Sequence, residues 1–189
     1  MLPHHPACKH AVLFYKDDAW LREQVKRHVL EALHSGRPAI VIAKPDLLQE
    51  LKIAIHREHV QGAPFGPRRG TLVTMDAEET LASLCVDGRP DTGRFMSVVG
   101  EPVRELSANG QVAAYGEMVG ILCERGQYAD AVELEQYWND LLASCDASLY
   151  CGYHDRLFRS PESRDFYRQV RGAHDTVRED PHAFAALAA

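Results

Sequence analysis

No apolar stretch of this 189-residue chain approaches the roughly 18–20 residues that a bilayer-spanning helix needs. The opening MLPHHPACKH lacks the apolar core of a secretory signal. Positive charge is not in excess either: 21 Lys and Arg face 27 Asp and Glu, a net charge of −6. Such a balance has no electrostatic footprint for nucleic acid or an anionic membrane, so neither is expected as a direct partner. Cysteine is sparse and odd in number, and Cys8, Cys85, Cys123, Cys145 and Cys151 form no C-x-x-C pair. Irregular spacing of this kind fits free thiols in a reducing compartment, and a cytoplasmic location is expected.

Mechanistic signatures are missing as well. Neither G-x-x-x-x-G-K-[ST] nor G-x-G-x-x-G occurs, and no lysine directly follows a glycine. The usual cradle for a triphosphate is therefore not encoded. G-x-S-x-G and H-E-x-x-H are absent too, so a non-catalytic protein is expected.

What is present is an alternation of short apolar runs with helical patterns. AVLFY (Ala11–Tyr15), PAIVIA (Pro38–Ala43), TLVTM (Thr71–Met75), Gln111–Tyr115 and SLYCGY (Ser148–Tyr153) read as strands, uninterrupted like strands buried on both faces. Between them, Leu21, Val25, Val29 and Leu33 recur at helical spacing after a cap at Asp17 or Asp18, with Gly36 as the stop. A second helix enters at Pro45, and a third follows an Asp76 cap. Asp91–Ser107 is helical in pattern, with Pro102 as a kink or restart. Tyr128–Ser144 is the clearest helix, its stripe formed by Ala131, Leu134, Trp138, Leu141 and Leu142. A polar helix spans about 161–174, and GAPFGPRRG (Gly62–Gly70) is a loop. Strand and helix in alternation imply one α/β domain with three layers, a mainly parallel sheet flanked by helices. The domain is expected over 8–177, with 1–7 and 178–189 as flexible tails.

In such sheets ligands gather beyond the carboxyl ends of the strands, which draws attention to Lys44, Asp76, Glu117 and His154. Glu117 is the least expected of these, a single carboxylate inside VAAYGEMVGIL (Val112–Leu122). Two metal-type groupings stand out: His4, His5, Cys8 and His10 within seven residues, and Cys151 with His154 at three-residue spacing. The plain alternative is a solvated terminus and a packing cysteine. Glu135 lies one position beyond Leu134 and three before Trp138, and reads as a boundary residue facing water or as a functional acid.

Three stretches resemble a known family. HAVLFY (His10–Tyr15), the long block AYGEMVGILCERGQYADAVELEQYWNDL (Ala114–Leu141) and SLYCGY (Ser148–Tyr153) are similar to the MEDS domain, the sensory domain named for methanogen and methylotroph regulators of the DcmR type. His174 falls where relatives often carry a histidine after the last helix. The resemblance implies a RecA/KaiC-like fold without its Walker A loop, in which Glu117 serves as a polar anchor or as a structural acid paired with an arginine such as Arg104. It implies a module sensing a small molecule, with a simple hydrocarbon derivative as ligand. The contacts would be His10, Tyr15, Glu117 and Cys151, with His10 and Cys151 also placed to hold a metal ion. Output would pass to a histidine kinase or a transcription regulator, or through self-association as a homo-oligomer. The alternatives from other classes are a residual nucleotide-binding ATPase and a ligand-free interaction protein.

Overall fold

Four of the five apolar runs become buried parallel strands because both faces of the sheet are covered there, and the run at Thr71–Met75 becomes a half-buried one at the edge. The computed structural model describes residues 9–60, 70–160 and 163–184. The tail 1–7, most of the loop Gly62–Gly70 and the first residues of the expected last helix lie outside them, as do His4, His5 and Cys8. The element order is β1 (His10–Tyr15), α1 (Asp18–His34), β2 (Ala39–Ala43), α2 (Pro45–Val60), β3 (Leu72–Asp76) and α3 (Ala77–Leu84). A short hairpin follows, β4 (Cys85–Val86) and β5 (Arg89–Pro90), then α4 (Thr92–Phe95) and α5 (Glu101–Ser107). The chain continues through β6 (Val112–Gly116), α6 (Met118–Glu124), α7 (Tyr128–Ser144), β7 (Ala147–His154), α8 (Ser163–Gly172) and β8 (Thr176–Glu179).

The main sheet has six strands in the order β3-β2-β6-β7-β1-β8, and every pairing in it is parallel. Alternate residues serve two layers. Leu13, Val41 and Tyr115 pack with Leu21, Val25, Leu47 and Leu51 of α1 and α2. Val12, Phe14, Ile42 and Cys151 point the other way, towards Leu81, Phe95, Leu134, Trp138 and Phe166 of the remaining helices. The result is a three-layer α/β domain. Among the described residues no helix is long and apolar enough to cross a membrane.

Local signals act where expected. Asp17 caps α1 by accepting from Ala19 N at 2.9 Å, and Asp76 caps α3 by accepting from Glu79 N at 2.9 Å. The chain turns after α1 at Gly36, whose φ of 71° suits a residue without a Cβ. Pro102 coincides with a change of helix type rather than a gap, since α5 opens at Glu101 directly after Met96–Gly100. Pro102 has no N–H, and in an α-helix its ring would crowd the carbonyl of Val98. The helix widens instead into a π turn at Met96–Gly100, with the Glu101 N–H donating to Met96 O.

The sixth strand was not anticipated. β8 crosses the expected boundary at 177 and pairs with β1, Ala11 opposite Thr176 and Phe14 opposite Glu179. Its sequence, TVRE, is short and mostly polar because an edge strand is half covered.

On the α1 side, His28 stacks on Tyr150 with ring centroids 3.9 Å apart, and Arg178 lies over the same ring at 5.0 Å. The His28 Nε2 has no hydrogen-bond partner among the described residues. Burial, helped by Arg37 and Arg178, lowers its pKa from 6.5 to about 4. The unfolded chain therefore binds a proton that the folded chain refuses, so stability falls as pH drops from about 6.5 towards 4. We expect this limb to cost about 2–3 kcal/mol in wild type and to flatten in His28→Phe, measured by urea unfolding at stepped pH.

Candidate functional site

The parallel pairing of β1 with β7 sets Val12 opposite Cys151. His10, two residues before Val12, shares its face, so its ring lies diagonally beside the thiol. The His10 Nε2 is 3.4 Å from Cys151 Sγ. From above, α7 lowers Glu135 onto the pair: it lies four residues after Ala131 and three before Trp138, on the buried stripe. Its Oε2 is 3.2 Å from His10 Nε2 and accepts from Cys151 Sγ at 3.4 Å. The fourth member, His174, comes from the joint between α8 and β8, its Nε2 3.4 Å from Glu135 Oε1. The two imidazole rings lie 3.9 Å apart. One donor atom from each of the four lies within 4.8 Å of the others, and exposure is 2% at His10, 1% at Glu135, 0% at Cys151 and 9% at His174.

Hydrogen bonds around the tetrad define the tautomers. The Ala173 carbonyl can only accept, and it takes the Asn139 Nδ2 at 3.1 Å. Asn139 Oδ1 therefore faces His10 Nδ1 at 2.9 Å, and that nitrogen carries the proton. Similarly, His174 Nδ1 donates to Val170 O at 2.6 Å. In the neutral rings both Nε2 atoms present lone pairs to one carboxylate. His174 Nε2 has no well-formed hydrogen bond among the described residues. Glu135 is supported by the Tyr153 hydroxyl, which donates to Oε1 at 2.6 Å.

Charge within the tetrad is strongly biased. Burial by itself would raise the Glu135 pKa, but His174 and His10 hold it well below the usual carboxylate range. Burial likewise lowers His174, and the Glu135 charge outweighs it, leaving the pKa raised. Burial, then the neighbouring Glu135, pushes the Cys151 thiol well above its ordinary value. A cation at the centre would reverse that last effect, since a metal-bound thiol is deprotonated.

The residues fit a metal. Two Nε2 lone pairs, a carboxylate and a thiol converge, and each imidazole donates its other N–H to an oxygen acceptor, the pattern that orients metal-bound histidine. Donors at about 2.0–2.3 Å from a tetrahedral ion stand about 3.3–3.7 Å apart; here His10 Nε2, Cys151 Sγ and Glu135 Oε2 lie 3.2–3.4 Å from one another, His174 Nε2 is 3.4 Å from the other oxygen of Glu135, and the four donors together span up to 4.8 Å. Nitrogen, sulfur and carboxylate donors together suit zinc or ferrous iron.

Tyr15 and Glu117 belong elsewhere. Tyr15 ends the strand that His10 begins, about 17 Å further along by strand rise. With Arg22, Lys44, Glu124 and Arg156, these two residues line a cleft of about 190 Å³ at the carboxyl ends of the strands. Arg104 is not the partner of Glu117. Instead Oε2 accepts from Lys44 N at 2.5 Å and Oε1 from the Tyr115 hydroxyl at 3.2 Å, tying β6 to the end of β2. Burial raises the Glu117 pKa despite these bonds. His154 does not join Cys151, because residues three apart on a strand face opposite ways; its ring lies 5.1 Å from Tyr15. Glu135 is not a boundary residue facing water. Its helical offset from Ala131 and Trp138 carried the signal, and Asn139, four residues further on, shares the same face.

The two acids should therefore respond differently. Glu117→Gln, which keeps shape and removes a charge that burial disfavours, should change stability by less than about 1 kcal/mol. Glu135→Ala removes the carboxylate that both buried imidazoles and the Tyr153 hydroxyl face and should cost about 3–5 kcal/mol. Urea unfolding at pH 7 measures both.

The chain matches the family model described as MEthanogen/methylotroph, DcmR Sensory domain (MEDS) over residues 9–174, a span that includes all four members of the tetrad. No curated protein matches it. A solved structure of a protein from Pyrococcus horikoshii OT3 is similar over 90% of this chain and 81% of that one, with a TM-score of 0.45 and 8% identity. With nearly its whole length matched, the chain belongs to the MEDS family of sensory domains.

Proposed function

We propose that this chain is a non-catalytic sensory module whose central element is a metal ion held by His10, Glu135, Cys151 and His174. The carrying observation is the convergence of two imidazole Nε2 atoms on one buried carboxylate and a thiol, both rings being oriented by Nδ1–H bonds to Asn139 Oδ1 and Val170 O. A bound ion would take the place of the proton that Glu135 favours on His174 and would cross-link β1, α7, β7 and the α8–β8 joint. Signal transmission then follows from any event that changes this cross-link, read by a partner such as a histidine kinase or a transcription regulator.

The small-molecule ligand, a simple hydrocarbon derivative in this reading, is bound apart from the ion. The four donors lie almost entirely out of solvent, whereas the cleft at Tyr15 and Glu117 is open at the strand ends.

Metal analysis of the purified protein, followed by zinc titration of the stripped form, tests the centre. One zinc per chain is expected, and cobalt substitution should give a sulfur-to-cobalt charge-transfer band that disappears in Cys151→Ser. Asn139→Ala, which frees the His10 ring, should weaken zinc binding by about 10–100-fold. A folded chain that takes up no zinc or cobalt overturns the reading.

A further inference from the structure

We infer that metal occupancy controls the docking of the C-terminal unit, α8 with β8, onto the edge of the sheet; this rests on the metal reading above. Three of the four donors come from elements locked into the domain: β1 and β7 lie side by side in the sheet, and α7 packs on it through Leu134, Trp138 and Leu141. His174 is the single donor from the last elements of the chain, at the joint of a ten-residue helix and a four-residue strand.

The apolar attachment of that unit is made through α8, where Phe166 packs with Tyr128, Tyr153 and Phe158 and Tyr167 packs with Phe14 and Phe158, whereas β8 adds only Val177 to the core. The helix α8 buries Ser163, Phe166 and Val170 while Arg164, Arg168 and Arg171 stay exposed. β8 pairs with β1 alone, and none of its four residues is fully buried. Its far end is held independently of the tetrad, where Asp180 Oδ2 accepts from Lys16 N at 3.1 Å and Asp17 N at 2.9 Å. The near end is held by the site itself. Ala173 O accepts from Asn139, Asp175 Oδ2 accepts from His10 N at 3.0 Å and Lys9 N at 3.1 Å, and Asp175 N donates to His10 O at 2.9 Å. His174 cannot leave the ion without disturbing the groups that orient His10.

The geometry is that of a latch with constant clasps at Asp180 and at the Phe166–Tyr167 aromatic anchor and a metal-dependent one at His174, which acts on the joint and β8 between them. An ion bound by four donors when docked and three when undocked favours the docked state by the ratio of the two affinities. Undocking bares the backbone edge of β1 from Ala11 to Phe14, where β8 now pairs. An open strand edge accepts another extended segment, so the event inside the site becomes a surface change that a partner can read.

Hydrogen–deuterium exchange on the full chain, stripped with EDTA or loaded with one equivalent of zinc, tests the latch. Amides over 163–177 should exchange at least about tenfold more slowly with zinc, while those of α1 and β3 change little. In His174→Ala, saturating zinc should no longer protect 163–177. Stoichiometric zinc binding with no protection there, or with equal protection along the whole chain, overturns the latch and leaves the metal centre standing. Zinc-dependent protection that persists in His174→Ala overturns it too. If that variant fails to fold, the wild-type comparison decides alone. Absence of zinc binding in wild type removes the metal reading and the latch together.

Discussion

A carboxylate with 1% exposure governs this structure. An ion taken so far out of water is tolerated only where opposite charge and hydrogen bonds replace the lost solvation. Glu135 obtains them from His10, His174, Tyr153 and Cys151, and each comes from a different part of the chain than α7 itself. Satisfying this one acid therefore requires β1 beside β7, α7 on top of them and the α8–β8 joint in place. β8 keeps its place beside β1 through backbone pairing, through Asp175 and Asp180 at its two ends, and through Val177 against the core.

The strand-end cleft follows a different logic. Its charges are mutually compensated: Lys44 and Arg156 both reach Glu124, at 3.0 and 2.8 Å, and Arg22 pairs with Asp46 and Glu50. Glu117 anchors neighbouring groups, accepting from the Lys44 N–H and the Tyr115 hydroxyl, and so joins β6 to β2. A fold of this class places ligands at such a point, but in this molecule the concentration of strained electrostatics lies elsewhere, under α7.

The layer architecture was legible because its signals are local. Five apolar runs, the Asp17 and Asp76 caps, Gly36 and the Tyr128–Ser144 stripe each report a nearby backbone state, and each element forms within about two residues of the expected place. β8 was not legible, since TVRE carries no alternation and gains its place from pairing with Ala11–Phe14. The π turn was half legible: Pro102 announced a disturbance, and only the packing of Phe95, Val99 and Val103 kept one helix running through it. At the site, His10 and Cys151 stood in the resemblance, but Tyr15 and Glu117 were grouped with them although strand length separates the two pairs.

The sequence by itself determined the class of fold, the absence of the usual phosphate cradle and the residue types available for a metal. These depend on spacings of a few residues, where periodicity and capping chemistry act directly. Tertiary structure alone decided that His10, Glu135, Cys151 and His174 meet, across 164 positions of chain. Side-chain convergence is set by strand register, helix placement and tautomer, and those are products of packing between distant segments. A buried glutamate and an exposed one have the same letter; what surrounds them is decided only when the sheet closes.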